Sequence, residues 1–212
     1  MKIVVGAMHG GTSLLASMLQ KSPEADVLIE EKKLLTTPDK FIKADVAHLK
    51  QNRVLVNKIC LPHYPAYTLE HMFNMYQNPG IVYIFRDFRD TVLSCLDRGG
   101  QGIHWGIFWC RQLCASYKYF KDTHPDKTMY VKYENLIREP GKELDKICTF
   151  LGCSYTPDML NFDMVHPGFK KDYGNAICKD NAYKYKNDPR KELVESIFTQ
   201  TKDVLREFGY ET

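Results

Sequence analysis

Short runs of aliphatic, β-branched and aromatic residues alternate with stretches of helical periodicity from the start of the chain. Ile3, Val4 and Val5 read as a strand closed by Gly6. Residues 12–21 then carry Leu14, Leu15, Met18 and Leu19 at helical spacing and stop at Ser22-Pro23, because the residue before a proline is pushed out of the helical region. Further strands are predicted at 27–29, 54–59, 81–85 and 128–132, with helices between them. The helix after Glu139 has Pro140 where a missing N–H costs least, Leu144, Ile147, Cys148 and Leu151 on one face, and Gly152 as its stop. Leu193, Ile197, Val204, Leu205 and Phe208 form a comparable stripe on a closing helix. This alternation predicts an α/β fold, doubly wound around a central parallel sheet.

Between the last two helices, residues 153–187 have weak periodicity and many Gly, Asn, Asp and Tyr residues, and read as a long irregular loop. Loops of that length inside a compact domain are usually functional or disordered. With 212 residues and 44% hydrophobic content, the chain reads as one domain spanning 1–212. The 26% charged fraction is that of ordinary soluble globular proteins and disfavours disorder, fibrous sequence and a nucleic-acid polycation. Net charge is +3, but residues 170–191 alone carry +4, which leaves −1 for the rest. Such a concentration is either a solvated surface or one wall of an anion site.

No apolar run approaches the ~20 residues of a membrane span, and Met1-Lys2 leads directly into the first strand without room for a signal peptide. The seven cysteines form no CxxC pair and have no zinc-type histidine spacing. They read as mostly buried thiols in a reducing compartment, so a cytoplasmic location is expected.

The chemistry concentrates at two strand ends. Gly6-Ala7-Met8-His9-Gly10-Gly11-Thr12-Ser13 joins the first strand to the first helix. Glycines there let successive backbone N–H groups turn inward and the helix start adds positive dipole, as in a P-loop-like oxyanion site. The loop lacks the Gly-Lys-Ser/Thr of a magnesium-dependent nucleotide kinase and the GxGxxG of dinucleotide enzymes. Arg86 follows the apolar run 81–85, at the sheet edge where open α/β folds bind ligands and where an NTPase would place a magnesium-holding aspartate. Asp87, Arg89 and Asp90 either pair with one another at a helix start or belong to the site. Ser94, eight residues after Arg86 on a helix starting near Phe88, lies within reach of the same anion. Two phosphate sites with no metal site point to an adenosine bearing phosphates at both ends.

These residues resemble the sulfotransferases that use 3′-phosphoadenosine 5′-phosphosulfate. His9-Gly10-Gly11-Thr12-Ser13-Leu14-Leu15 is similar to the family's 5′-phosphosulfate loop, and Phe85-Arg86-Asp87-Phe88-Arg89-Asp90 with Ser94 to its 3′-phosphate block. Tyr133-Glu134-Asn135-Leu136, Pro140 and Phe150-Leu151-Gly152 resemble the segment that follows. The resemblance implies metal-independent, in-line sulfuryl transfer to a hydroxyl or amine of a carbohydrate or small molecule, with 3′,5′-adenosine bisphosphate as product. It assigns His9, Gly10, Gly11, Thr12, Ser13 and Leu14 to the 5′ side, Arg86 and Ser94 to the 3′-phosphate, and Tyr133 to the adenine. Lys58 falls on the family's sulfate-contacting lysine, while its histidine base is replaced by Cys60. Two proton acceptors remain, Glu31, similar to the base of carbohydrate-directed members, and His63, three residues beyond Cys60. His9 stands where most members have Arg or Lys, Phe88 replaces a proline, and Leu14 replaces an adenine-stacking tryptophan. Lys170 and Lys171 fall where the family has a basic lid, whereas Lys184, Lys186, Arg190 and Lys191 read as surface charge.

Arg98-Gly99-Gly100-Gln101-Gly102 and His104 form a candidate acceptor rim. Trp105 and Trp109, with Tyr117 and Phe120, read first as a core stripe and second as an acceptor-stacking surface. The alternative function is a non-catalytic module that holds 3′-phosphoadenosine nucleotides.

Overall fold

The computed structural model describes residues 1–29, 38–61, 66–99, 102–162 and 177–210. Among them, strands β1 (Lys2–Ala7), β2 (Ala25–Ile29), β3 (Val54–Leu61), β4 (Gly80–Phe85) and β5 (Thr128–Lys132) form one sheet in the order β2-β3-β1-β4-β5. Every neighbouring pair is parallel. The described helices are α1 (Thr12–Leu19), α2 (Pro38–Lys50), α3 (Ala66–Met75), α4 (Phe88–Asp97), α5 (Ile103–Thr123), α6 (Tyr133–Arg138), α7 (Pro140–Leu151) and α8 (Lys191–Glu207). The doubly wound α/β architecture is thus the one that the hydrophobic pattern predicts. Several strands outrun their patterns: β1 runs from Lys2 through Gly6 to Ala7, β2 begins two residues early, β4 begins one residue early, and β3 continues to Leu61 because Cys60 and Leu61 still pair with Gly6 and Ala7 of β1.

Period-two alternation sends the strand side chains into two cores. Ile3, Val5 and Ala7 of β1 and Ile81, Tyr83 and Phe85 of β4 pack with buried residues of α4, α5 and α8. Val4, Val56, Val82, Ile84 and Val131 face the opposite way, onto Leu15, Met18 and Leu19 of α1 and the apolar stripes of α6 and α7. The Tyr83 hydroxyl hydrogen-bonds Ser116 of α5 at 2.7 Å, which satisfies the one polar atom of a buried aromatic.

β1 lies at the centre of the sheet, with β3 on one side and β4 on the other. The chain builds first toward one edge and then toward the other, so the carboxyl ends of β1 and β4 face the topological switch of the sheet. α7 has Pro140 in its first turn and ends on Gly152 at φ 87°, a left-handed position that suits glycine. The described parts of 153–187 are irregular except for short 3₁₀ turns at Pro157–Leu160, Lys179–Asn181 and Lys184–Asn187. Five of the seven cysteines are buried, Cys153 is half-buried and Cys178 is exposed, all as free thiols. No helix among the described residues is long and apolar enough to cross a membrane.

Candidate functional site

The loop after β1 is shaped by close backbone approach. A Cβ on Gly6 would lie 2.7 Å from Thr12 Cγ2 and 2.9 Å from the Ile84 carbonyl oxygen, so only glycine lets β1 pass so near β4 and α1. Gly11 sits at φ 102°, and a Cβ there would overlap the Tyr133 ring. The Gly10 N–H donates to the Ala7 carbonyl at 3.0 Å and closes the turn, with His9 in the left-handed region at φ 60°. Gly11 is also the N-cap of α1 and offers no side-chain acceptor, so no side-chain cap takes up the first-turn N–H groups.

Arg86 leaves the end of β4 and is only 8% exposed. Its Nη1 donates to the His9 carbonyl at 3.2 Å, and its Nη2 to the Asn181 carbonyl at 2.8 Å. The guanidinium lies 5.0 Å from the Tyr133 ring centre, and Asp90 Oδ2 is 3.6 Å away. Arg86 Nε is buried with no partner among the described residues. The second arginine of the block is used differently. Arg89 donates from Nε and Nη2 to the two oxygens of Asp87, at 2.9 and 2.7 Å, and stacks 3.8 Å from the Tyr185 ring centre. Burial opposes its charge, but the paired Asp87 outweighs that, and its pKa is raised. Asp87 also caps α4 by accepting from the Arg89 N–H at 3.0 Å. Asp90 accepts from the N–H groups of Tyr185 at 2.7 Å and Lys184 at 3.2 Å. Burial raises its carboxyl pKa against the opposing pull of Arg86. Arg86 and Asp90 together hold residues 181–185 over the start of α4.

Of the residues singled out in the sequence, His9, Gly11, Arg86 and Tyr133 are brought together by these contacts. Thr12 is buried under the loop, and Ser13 and Leu14 are half-buried on the first turn of α1, with Leu14 against the second core. Ser94 is half-buried on α4, two helical turns beyond Arg86. Lys58 is 2% exposed on β3, in register with Val4 and Ile29, and so points to the face that α1 covers. Cys60 is buried, and its thiol donates to the Leu61 carbonyl. Glu31, His63, Lys170 and Lys171 lie outside the described residues.

Three residues make contacts that motif reading did not supply. Arg98, expected only at an acceptor rim, donates from Nη1 to His9 Nδ1 at 3.0 Å. Asn181 contributes a carbonyl to Arg86, for which no sequence signal exists. Glu134 is fully buried behind Tyr133 and accepts from the Asp87 N–H and the Tyr210 hydroxyl, both at 2.9 Å. The aromatic stripe of α5 divides: Phe120 is core, whereas Trp105 and Trp109 pack edge to face at 6.4 Å on the core's margin and Phe108 is 51% exposed. Core packing therefore describes one face of α5 from its first turns, with Ile107 and Cys110 buried and Ile103 and Trp109 packed against the core, whereas Phe108 stands outside it. No group of three metal-ligating side chains occurs among the described residues.

A family profile described as Sulfotransferase family matches residues 41–157. Among solved structures, the sulfotransferase domain of the Synechococcus PCC 7002 olefin synthase is similar at TM-score 0.77 and 17% identity, covering 100% of this chain and 95% of that one. The sulfotransferase domain of the curacin biosynthetic pathway gives 0.67 at 16% identity, covering 95% and 96%. Mouse sulfotransferase SULT7A1, crystallised with PAP, gives 0.62 at 15% identity, covering 97% and 84%. No curated protein matches the sequence.

Proposed function

Because the chain belongs to the sulfotransferase family, we propose that it moves a sulfuryl group from 3′-phosphoadenosine 5′-phosphosulfate to a hydroxyl or amine of a carbohydrate or small-molecule acceptor. The observation that carries this reading is the hydrogen bond from Arg86 Nη1 to the His9 carbonyl. It joins the glycine-rich loop after β1 to a buried cation at the end of the adjacent strand β4, and in this reading the two hold the two ends of one doubly phosphorylated nucleotide. The residues present suit such a ligand. Arg86 Nε is an orphaned buried donor, and the close approaches at Gly6 and Gly11 fix the loop against β4 and Tyr133. That a related fold was crystallised with PAP supports the same choice of nucleotide.

In this reading the loop N–H groups of residues 9 and 11–13 and the start of α1 hold the 5′ phosphosulfate, Arg86 and Ser94 hold the 3′-phosphate, and Tyr133 and Leu14 border the base. Bound in this way, the nucleotide supplies the sulfuryl group and a bisphosphate leaving group. Lys58 supplies a fixed cation beside the transferred group, where burial strengthens its field. His9 donates toward the oxygen on which charge develops. Glu31 takes the acceptor's proton, with His63 as the other candidate base. Lys170 and Lys171 close on the nucleotide. The full reaction needs no metal in this scheme, because backbone N–H groups, Lys58 and Arg86 meet the anionic charge.

Incubating the full chain with donor carrying ³⁵S and a panel of carbohydrate and phenolic acceptors tests the reading, beside calorimetric titration with 3′,5′-adenosine bisphosphate. Label should enter an acceptor, and Glu31→Gln should abolish transfer while bisphosphate binding persists. Turnover retained in that variant would move the base to His63. Bisphosphate binding with transfer to no acceptor would make the chain a nucleotide-holding module.

A further inference from the structure

We infer that Arg98 is a positioning residue that locks His9 in a single neutral tautomer, with its ring proton on Nε2; its consequence for turnover rests on the sulfuryl-transfer reading above. The geometry comes from one helix lying along the phosphosulfate loop. Arg86, two residues before α4, donates to the His9 carbonyl at 3.2 Å. Cys95, in the last turns of α4, directs its thiol at the Met8 carbonyl at 3.8 Å. Arg98, the C-cap residue of α4, donates from Nη1 to His9 Nδ1 at 3.0 Å. The backbone of His9 is thus held from one end of α4 and its ring from the other, in a left-handed conformation at φ 60° that is uncommon for residues other than glycine.

The chemistry follows from what each group can do. A guanidinium has five N–H donors and no acceptor. A nitrogen that receives a hydrogen bond from it must present a lone pair, so Nδ1 is unprotonated and the proton of the neutral imidazole sits on Nε2. A second proton on Nδ1 would remove this bond and set two cations against each other. Arg98 therefore does two things at position 9. It keeps Nε2–H as the donating end of the ring, and it places a permanent positive charge within one hydrogen bond of the loop. A neutral histidine alone supplies no such charge. The pair divides between two side chains the hydrogen-bond donation and the cationic charge that one arginine or lysine would provide together.

The tautomer can be read in the free protein, without donor or acceptor. Two-bond ¹H–¹⁵N correlation spectra of the full chain, with His9 assigned through a His9→Gln variant, should show the Nε2–H form in the wild type. Arg98→Leu should give a mixture of tautomers, and Arg98→Lys, which can also only donate, should restore the wild-type pattern. A wild-type Nδ1–H form, or an Arg98→Leu spectrum identical to wild type, would overturn the inference. In steady-state assays Arg98→Leu should lower kcat by at least about tenfold, the scale of one mispositioned transition-state hydrogen bond, while 3′,5′-adenosine bisphosphate binds within about twofold of wild type. A lone tautomer effect with unchanged kcat would overturn the positioning role. Failure of the wild type itself to sulfate any acceptor would instead strike the transfer reading and leave the tautomer assignment standing.

Discussion

The Tyr210 hydroxyl donates to the buried Glu134 carboxylate at 2.9 Å, and the other oxygen of that carboxylate accepts the Asp87 N–H at the same distance. A residue near the chain's end thereby supports the first turn of the helix that follows Arg86. All three residues are essentially inaccessible to water, so a broken bond strands a polar group in the interior. Glu134→Ala should destabilise the protein by about 1–3 kcal/mol for each of the two stranded donors, and Tyr210→Phe by about 1 kcal/mol. Urea unfolding followed by circular dichroism measures both. Equal, negligible effects would mean that water takes the place of these partners.

Burial raises the Glu134 pKa above its ordinary value of 4.5, with the three hydrogen bonds to the carboxylate pulling the other way. A carboxyl raised in the folded state binds more protons folded than unfolded, so its stabilising contribution is complete below the unfolded value and is lost as pH rises through the folded one. Glu134→Gln keeps an oxygen for the Asp87 N–H and cannot ionise. Its stability relative to wild type should therefore be flat in acid and shift in the variant's favour as pH rises past about 4.5. Thermal melts of the two proteins from about pH 4 to pH 8 decide this, and a constant difference across the range counts against it.

Arg86→Ala should weaken binding of 3′,5′-adenosine bisphosphate by about 1–3 kcal/mol, the scale of a lost charge-assisted hydrogen bond. It also frees the Asn181 carbonyl and removes the cation beside Asp90, so residues 181–185 should lose amide-exchange protection in the same variant. Calorimetry and hydrogen exchange measure the two effects separately. Unchanged affinity would remove Arg86 from the nucleotide site even if the exchange pattern changed.

The strands were legible because β4 is a short continuous apolar run followed directly by Arg86, and β1 a short aliphatic run that leads into a glycine-rich loop. The two anion elements were legible from their place at strand ends: Gly6 is the next-to-last residue of β1, and Arg86 directly follows β4. What the sequence does not carry is the strand order, and the order creates the contacts. Arg98 reaches His9 across 89 residues because β4 lies beside β1, which no local pattern states. Asp90 was readable as a local partner of Arg86, but its two bonds to the N–H groups of Lys184 and Tyr185 are not local. Glu134 is legible only as a member of the Tyr133-Glu134-Asn135-Leu136 block, and only the fold gives it buried partners. In α5, Trp105 and Trp109 share the helical spacing of core residues, but the deepest positions of the first turns are Ile107 and Cys110, and the two tryptophans are only half-buried beside them.

Thiol reactivity should sort the seven cysteines. Burial raises the pKa of Cys95 to about 11 and that of Cys114 to about 12, and pushes Cys110 well above its ordinary value. Cys148 is also raised, chiefly through its hydrogen bond with Cys153, and that same bond lowers Cys153. A thiolate is the reactive form, so in the native protein at neutral pH the half-buried Cys153 and the exposed Cys178 should react with a disulfide reagent such as Ellman's. The other thiols should react only on unfolding. Cys148→Ala should slow the labelling of Cys153 by removing the S–H that supports its thiolate. Rapid native labelling of Cys95 or Cys110 would contradict the burial on which this order rests.

Gly11→Ala separates conformational cost from loss of function most clearly. The new Cβ would overlap the Tyr133 ring, lie 3.2 Å from Ile84 Cδ1 and hold a left-handed φ of 102° that L side chains rarely adopt. Relief would require Tyr133 to move, and Tyr133 is the ring against which the Arg86 guanidinium rests. The variant should therefore lose stability, on the order of 1–3 kcal/mol, and nucleotide affinity together. Gly99→Ala is the matched control, because Gly99 also has a positive φ, of 75°, but a Cβ there meets nothing within 4 Å. It should lose only about 1 kcal/mol of stability, the backbone part of the cost. Bisphosphate titration and urea unfolding of both variants check the pair. If Gly11→Ala binds the nucleotide as the wild type does, Tyr133 and the loop are not coupled in the way the close approach requires.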